Sequence, residues 1–191
     1  MKLLMHACCA PCSVFPIESL RAEGIEPTLF WYNPNIHPYQ EYKARRDCLI
    51  EYARSVNVPL IIDEEYGLVE HCQAAVNDLE GRCVKYCYPR RLTKVVRYAA
   101  ANGFDTFTTT LLYSPYQKHE DIVRICKDLS ALSDVEFLYR DFRVGYREGQ
   151  EKARAAGLYM QKYCGCIFSE ADRYAKQIAR DSTNHPEPYY I

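Results

Sequence analysis

The N-terminal apolar run Lys2–Ala7 passes directly into Cys8-Cys9-Ala10-Pro11-Cys12-Ser13, and this junction constrains the fold more than any other segment. A short apolar run of this kind reads as a buried strand. The residues after it read as a strand-to-helix turn. Ser13 is the expected N-cap of a helix over Val14–Glu23, and Gly24 is its stop signal. In open α/β sheets, ligands gather outside the carboxyl ends of the strands. A turn at that place cradles phosphate when it is glycine-rich. Here it holds three cysteines and no glycine.

Strand and helix patterns then alternate along the chain. Strands are expected at Pro27–Tyr32, Pro59–Asp63, Asp105–Leu112 and Val135–Phe142. Helices are expected at Tyr39–Val56, Leu68–Val76, Pro89–Ala101, Gln117–Leu129, Glu148–Ala156 and Ser169–Ala179. This order predicts an α/β fold: one domain over 1–180, with a mostly parallel, doubly wound sheet and helices on both faces, HUP/Rossmann-like. Residues 181–191, with two prolines, are expected to be a flexible tail.

Ten cysteines are present, and seven fall in three short groups: Cys8, Cys9 and Cys12; Cys83 and Cys87; Cys164 and Cys166. No apolar run approaches ~18 residues, so no membrane span is expected and a cytoplasmic location is. Structural disulfides are disfavoured there, so grouped cysteines point to metal or redox chemistry. Thiolates suit zinc and iron–sulfur clusters alike. Cys9-x-x-Cys12 is a chelating spacing, Cys83 and Cys87 share one face of a helical turn, and Gly165 lets the backbone bend around a metal. Four thiolates saturate one cubane cluster or one structural zinc, which leaves three over. Structural zinc and a thiol–disulfide pair are the alternative readings; the latter leaves five of the seven unexplained. Cys48, Cys72 and Cys126 stand alone in helical patterns and read as small buried hydrophobes.

The net charge is −1, so bulk attraction to nucleic acid is not indicated, and any RNA contact must come from local basic groups. Lys85, Arg90 and Arg91 flank a cysteine pair, and Lys43, Arg45 and Arg46 form a second run. Tyr86 and Tyr88 offer faces on which unpaired bases can stack.

Taken together, His6-Ala7-Cys8-Cys9-Ala10-Pro11-Cys12-Ser13, the Arg82–Cys87 segment and Tyr163-Cys164-Gly165-Cys166 resemble the epoxyqueuosine reductases of the QueH type. Tyr32–Pro38 and Thr110–Gln117 are similar to stretches of the same family, and the resemblance spans roughly residues 3–180. It implies reduction of the epoxide of epoxyqueuosine, at the tRNA wobble position, to the alkene of queuosine. It implies a [4Fe–4S] cluster with a second, mononuclear iron, no corrinoid (cobalamin) cofactor, the tRNA anticodon loop as partner and an external electron donor. One division of the ligands puts Cys8, Cys9, Cys83 and Cys87 on the cluster and Cys12, Cys164 and Cys166 on the second iron. Another makes Cys164 and Cys166 a redox-active disulfide.

Removing an epoxide oxygen as water takes two electrons and two protons, so a proton donor is needed. His6, His37, His119, Tyr113 and Tyr116 are the candidates, with His6 and Tyr116 placed beside Cys12, Cys164 and Cys166 as catalytic. Lys85, Arg90, Arg91 and Tyr113 are the expected substrate contacts. An ATP-dependent tRNA-modifying enzyme of similar fold would need a glycine-rich phosphate loop after the first strand, which Cys8–Ser13 does not provide.

Overall fold

A computed structural model describes residues 1–184. Its centre is a parallel five-stranded sheet: β1 (Leu3–His6), β2 (Pro27–Trp31), β3 (Leu60–Ile62), β4 (Thr106–Thr109) and β5 (Glu136–Phe137), in the order β3-β2-β1-β4-β5. All four residues of β1 and of β4 are buried, as expected of parallel strands covered on both faces. Phe30, Trp31 and Phe107 from the strands are fully shielded from solvent.

Chain order reverses between β1 and β4, which makes that gap the topological switch point. Right-handed crossovers therefore place α1 (Ala10–Ala22) and α2 (Tyr39–Ser55) on one face of the sheet. The same rule puts α4 (Tyr88–Ala101) and α5 (His119–Ala131) on the other. The remaining helices are α3 (Leu68–Ala75), α6 (Tyr146–Ala155), which packs on α1, and α7 (Ile167–Asn184). The doubly wound α/β architecture expected from the sequence is thus present as one compact unit. Among the described residues, no helix is long and apolar enough to cross a membrane.

Several local expectations need correction. α1 starts at Ala10, not Val14, because Cys9 occupies the N-cap in an extended conformation (φ −175°, ψ 167°) and Pro11 fits the first turn, where its missing N–H has no partner to lose. Ser13 is not the cap; its hydroxyl donates to the Cys9 carbonyl at 2.8 Å from inside the helix. β4 stops at Thr109, whose hydroxyl accepts from Leu111 N at 3.1 Å and opens a 3₁₀ turn over Thr110–Leu112. β5 is only two residues long, since its register against β4 covers Thr106 and Phe107 alone. α5 begins two residues late, after a turn closed by Gln117 N and Ser114 O at 3.2 Å. α7 extends through Asn184, so the helix takes in the first residues of the expected tail; residues 185–191 lie outside the described residues.

Candidate metal centre

The turn after β1 and the turn after β4 meet at the switch point. His6 pairs in register with Thr109, and its ring bridges both neighbours: Nδ1 to Thr109 Oγ1 at 3.0 Å, Nε2 to Tyr32 O at 3.3 Å. A carbonyl can only accept, so Nε2 carries the proton and Nδ1 accepts from the threonine hydroxyl. Burial, helped by the nearby Arg91 charge, lowers the His6 pKa to about 4, which keeps the ring neutral. His6 thus sits inside the sheet with both nitrogens engaged.

Just beyond it, Cys8, Cys9 and Cys12 bring their Sγ atoms within 4.8 Å of one another. Cys8 and Cys9 are adjacent in sequence, yet their sulfurs are 3.8 Å apart. That is the ligand–ligand edge of a tetrahedral metal site with bonds of 2.3 Å, ~3.8 Å. Thr110, the first residue after β4, accepts from Cys8 N at 3.1 Å and lies 3.4 Å from Cys8 Sγ. Hydrogen bonds from Cys12 and then Cys9 hold the Cys8 thiol well below its ordinary range. Burial pushes Cys9 well up, and donation to Cys8 does the same for Cys12. The trio therefore favours one shared thiolate until a cation draws off the other protons.

The other four cysteines come from two further segments. Cys83 and Cys87 lie on a π-helical turn that runs directly into α4, closed by Tyr88 N on the Cys83 carbonyl. Such turns are frequent at functional sites. Burial raises the pKa of Cys83, and raises that of Cys87 to about 12; the charges of Cys164 and Cys166 push both the same way.

The loop carrying Cys164 and Cys166 is fastened from beneath. Buried Arg45 of α2 donates to the carbonyls of Cys164 at 2.8 Å and Tyr163 at 2.9 Å, and to the Glu41 carboxylate at 2.6 Å. Tyr163 Oη donates to His37 O at 2.6 Å, and His37 N to Gly165 O at 2.8 Å. Gly165 has φ +148°, a conformation that favours glycine, and a Cβ there would lie a tight 3.1 Å from Ile36 Cγ1.

Two amides and one guanidinium touch the sulfurs. Gln161 Nε2 lies 3.1 Å from Cys9 Sγ and 3.5 Å from Cys12 Sγ, while its Oε1 is buried without a partner. Gln117 donates to Cys164 Sγ at 3.4 Å and accepts from Tyr88 Oη at 2.8 Å. Arg91, fully buried, lies 3.2 Å from Cys87 Sγ and feels Cys164 and Cys8 as well. A single cavity of about 710 Å³ is lined by Cys8, Cys12, Cys83 and Cys164, one or more from each sequence group.

The expected substrate contacts are dispersed. Lys85 is paired with Asp78 and Arg90 with Glu65. Arg91 lines the cavity from within, and Tyr113 is buried with its hydroxyl on Tyr146 O at 2.8 Å. In the second basic run, Lys43 pairs with Asp47, Arg46 with Asp47 and Glu64, and Arg45 is the buried clamp. Tyr88 is buried too, and Tyr86 accepts from Arg90. Tyr116 lies at the cavity mouth, 83% exposed. Of the single cysteines, Cys126 is fully buried and Cys48 half-buried, as expected of small hydrophobes; Cys72 is half-buried on α3. Sequence reading did not single out Gln161, Gln117 or Tyr146. A lone glutamine carries no spacing signature, and only its neighbours in space mark it.

Residues 3–172 match the sequence model of the family described as epoxyqueuosine reductase QueH. Proteins bearing that name include one from Dehalococcoides mccartyi, 34% identical over 175 residues, covering 92% of this chain and 96% of its own. One from Thermotoga maritima is 36% identical over 186 residues, covering 91% and 93%. One from Acinetobacter baylyi is 34% identical over 191 residues, covering 94% and 86%. With the match running from the first strand into the last helix and the cysteine turn at its head, the chain belongs to the epoxyqueuosine reductase QueH family.

Proposed function

We propose that this chain reduces epoxyqueuosine in the anticodon loop of tRNA to queuosine, with two metal groups held side by side. The observation that carries this reading is the convergence of three remote cysteine groups on one cavity at the switch point. The donor sets differ in number, and each fits a different group. Cys83, Cys87, Cys164 and Cys166 offer the four thiolates of a [4Fe–4S] cluster. Cys8, Cys9 and Cys12, with a 3.8 Å sulfur edge, offer three corners of a tetrahedron around a single iron, leaving one open. This grouping replaces the division in which Cys8 and Cys9 join Cys83 and Cys87. When bound, the cluster supplies electrons singly and the iron supplies Lewis acidity at the epoxide oxygen.

The chain's own groups do the rest. Both C–O bonds of the epoxide break, a double bond forms between the two carbons, and the oxygen leaves as water, with two electrons from an external donor and two protons taken up. Arg91 places a permanent positive charge near thiolates of both sets and offsets their mutual repulsion. The Gln161 and Gln117 amides donate to sulfur and draw charge from it. His6, neutral and hydrogen-bonded at both nitrogens, holds the ends of β1 and β4 in register under the site. Proton delivery falls to a phenol, a neutral donor at pH 7. Tyr146 lines the cavity and is close enough to Cys12 and Cys9 to feel their charge. Tyr116, at the mouth, meets the incoming substrate.

Anaerobically purified protein, incubated with epoxyqueuosine-containing tRNA and a chemical reductant, should yield queuosine by mass spectrometry. Iron above four atoms per chain should accompany it. A colourless protein with one zinc and no turnover would overturn the reading in favour of a zinc-stabilised module.

A further inference from the structure

Six basic side chains line the cavity, against a single acid, Asp172. Three of the six are spoken for: Arg45 and Arg91 are buried among the cysteine loops, and Arg82 pairs with Asp172. The other three, Lys118, Lys162 and Arg173, are exposed, and among the described residues none faces a carboxylate within ion-pair distance. Lys118 Nζ reaches only a backbone carbonyl, that of Glu80, at 3.3 Å. On the same rim stands Tyr116, exposed over 83% of its surface, with its ring 5.9 Å from that of Tyr146 and edge-on to it.

A concave site ringed by unneutralised cations and one solvent-facing aromatic ring is the chemistry that recognises single-stranded nucleic acid: phosphates bind the cations and an unpaired base stacks on the ring. From this juxtaposition we infer that Lys118, Lys162 and Arg173 hold the phosphates of the anticodon loop. Tyr116 stacks on a base next to the one that enters the cavity. The inference rests on the tRNA reading above and deepens it by naming the surface. It also removes the cations flanking Cys83–Cys87 from that role, because Lys85 and Arg90 already face carboxylates. With a net charge of −1, the protein has no general attraction for RNA, so this rim must supply it locally.

The test measures binding of a fluorescein-labelled anticodon stem–loop RNA to the metal-loaded full chain by anisotropy, across a range of salt. Phosphate contacts on a single strand contribute about 0.7 each to the log–log salt slope, so the triple variant Lys118→Ala/Lys162→Ala/Arg173→Ala should flatten the slope by about 2. Arg124→Ala, which removes a cation paired with Asp121 on α5, should leave it unchanged. Tyr116→Ala should weaken binding about tenfold, and Tyr116→Phe should restore both affinity and turnover. If wild-type protein binds but the triple variant keeps its slope, or Tyr116→Ala its affinity, the assigned surface is wrong. If wild-type protein itself does not bind the RNA, the tRNA reading fails first.

Discussion

Arg45 Nη1 donates to the carbonyl oxygen of Cys164 at 2.8 Å, tying two positions 119 residues apart. The guanidinium fork spends two more of its five N–H donors on the Tyr163 carbonyl and the Glu41 carboxylate. A buried charge is costly unless paired and hydrogen-bonded, and here it is both. Through this one side chain, α2 fastens the loop that carries Cys164 and Cys166.

Arg45→Lys keeps the charge but gives up the planar fork that reaches two carbonyls and a carboxylate at once. The variant should fold, with a far-ultraviolet spectrum like wild type, but lose most of its iron–sulfur absorption and fall by about four irons per chain. A full complement of iron in Arg45→Lys would show that the loop holds its place without the clamp.

The two sulfur groups should be separable by mutation. Cys12→Ser should lower iron by about one atom and leave the cluster absorption in place. Cys87→Ser should remove that absorption. Cys126→Ala, at a thiol pushed far up by burial alone and remote from the cavity, should keep every iron and cost only about 1 kcal/mol of stability for one small buried group. If Cys12→Ser and Cys87→Ser lost the same iron and the same absorption, the seven thiols would form one indivisible site.

His71 makes the fold acid-sensitive. Burial first, then the charge of His37, lowers its pKa from 6.5 to about 4, and its Nε2 has no hydrogen-bond partner. Above pH 6.5 the ring is neutral folded or unfolded, and its contribution is flat. Between 6.5 and about 4 the unfolded chain takes up a proton that the folded chain refuses, so stability falls by roughly 1.4 kcal/mol per pH unit. His71→Phe should therefore lose less stability than wild type between pH 7 and pH 5, as read by urea midpoints. His6, lowered in the same direction, is present in both proteins and cancels in the comparison. Equal losses would mean that His71 protonates as freely in the folded protein as in the unfolded one.

The strand–helix alternation and the replacement of glycine by cysteine after β1 were legible in the sequence. Hydrophobic runs and period-3.6 stripes are local properties, and a topology with short right-handed connections follows from them. The grouping of Cys8, Cys9 and Cys12 was legible for the same reason, since close spacing in sequence keeps side chains close in space. The division of all seven was not. Nor was the start of α1, which the extended Cys9 N-cap moved from Val14 to Ala10.

Side chains whose role depends on partners far along the chain could be read only in three dimensions. Arg45 and Arg91 look in sequence like members of solvated basic runs, and both are buried against cysteine loops. Lys118, Lys162 and Arg173 stand apart from the basic runs marked in sequence and share one rim. The amino-acid order determined which elements form and which atoms can bind a metal, because both follow from short-range chemistry. Which charges are buried and which are neutralised was decided by the packing of α1, α2 and α4 around the switch point, because burial and pairing are properties of neighbours that the sequence does not bring together.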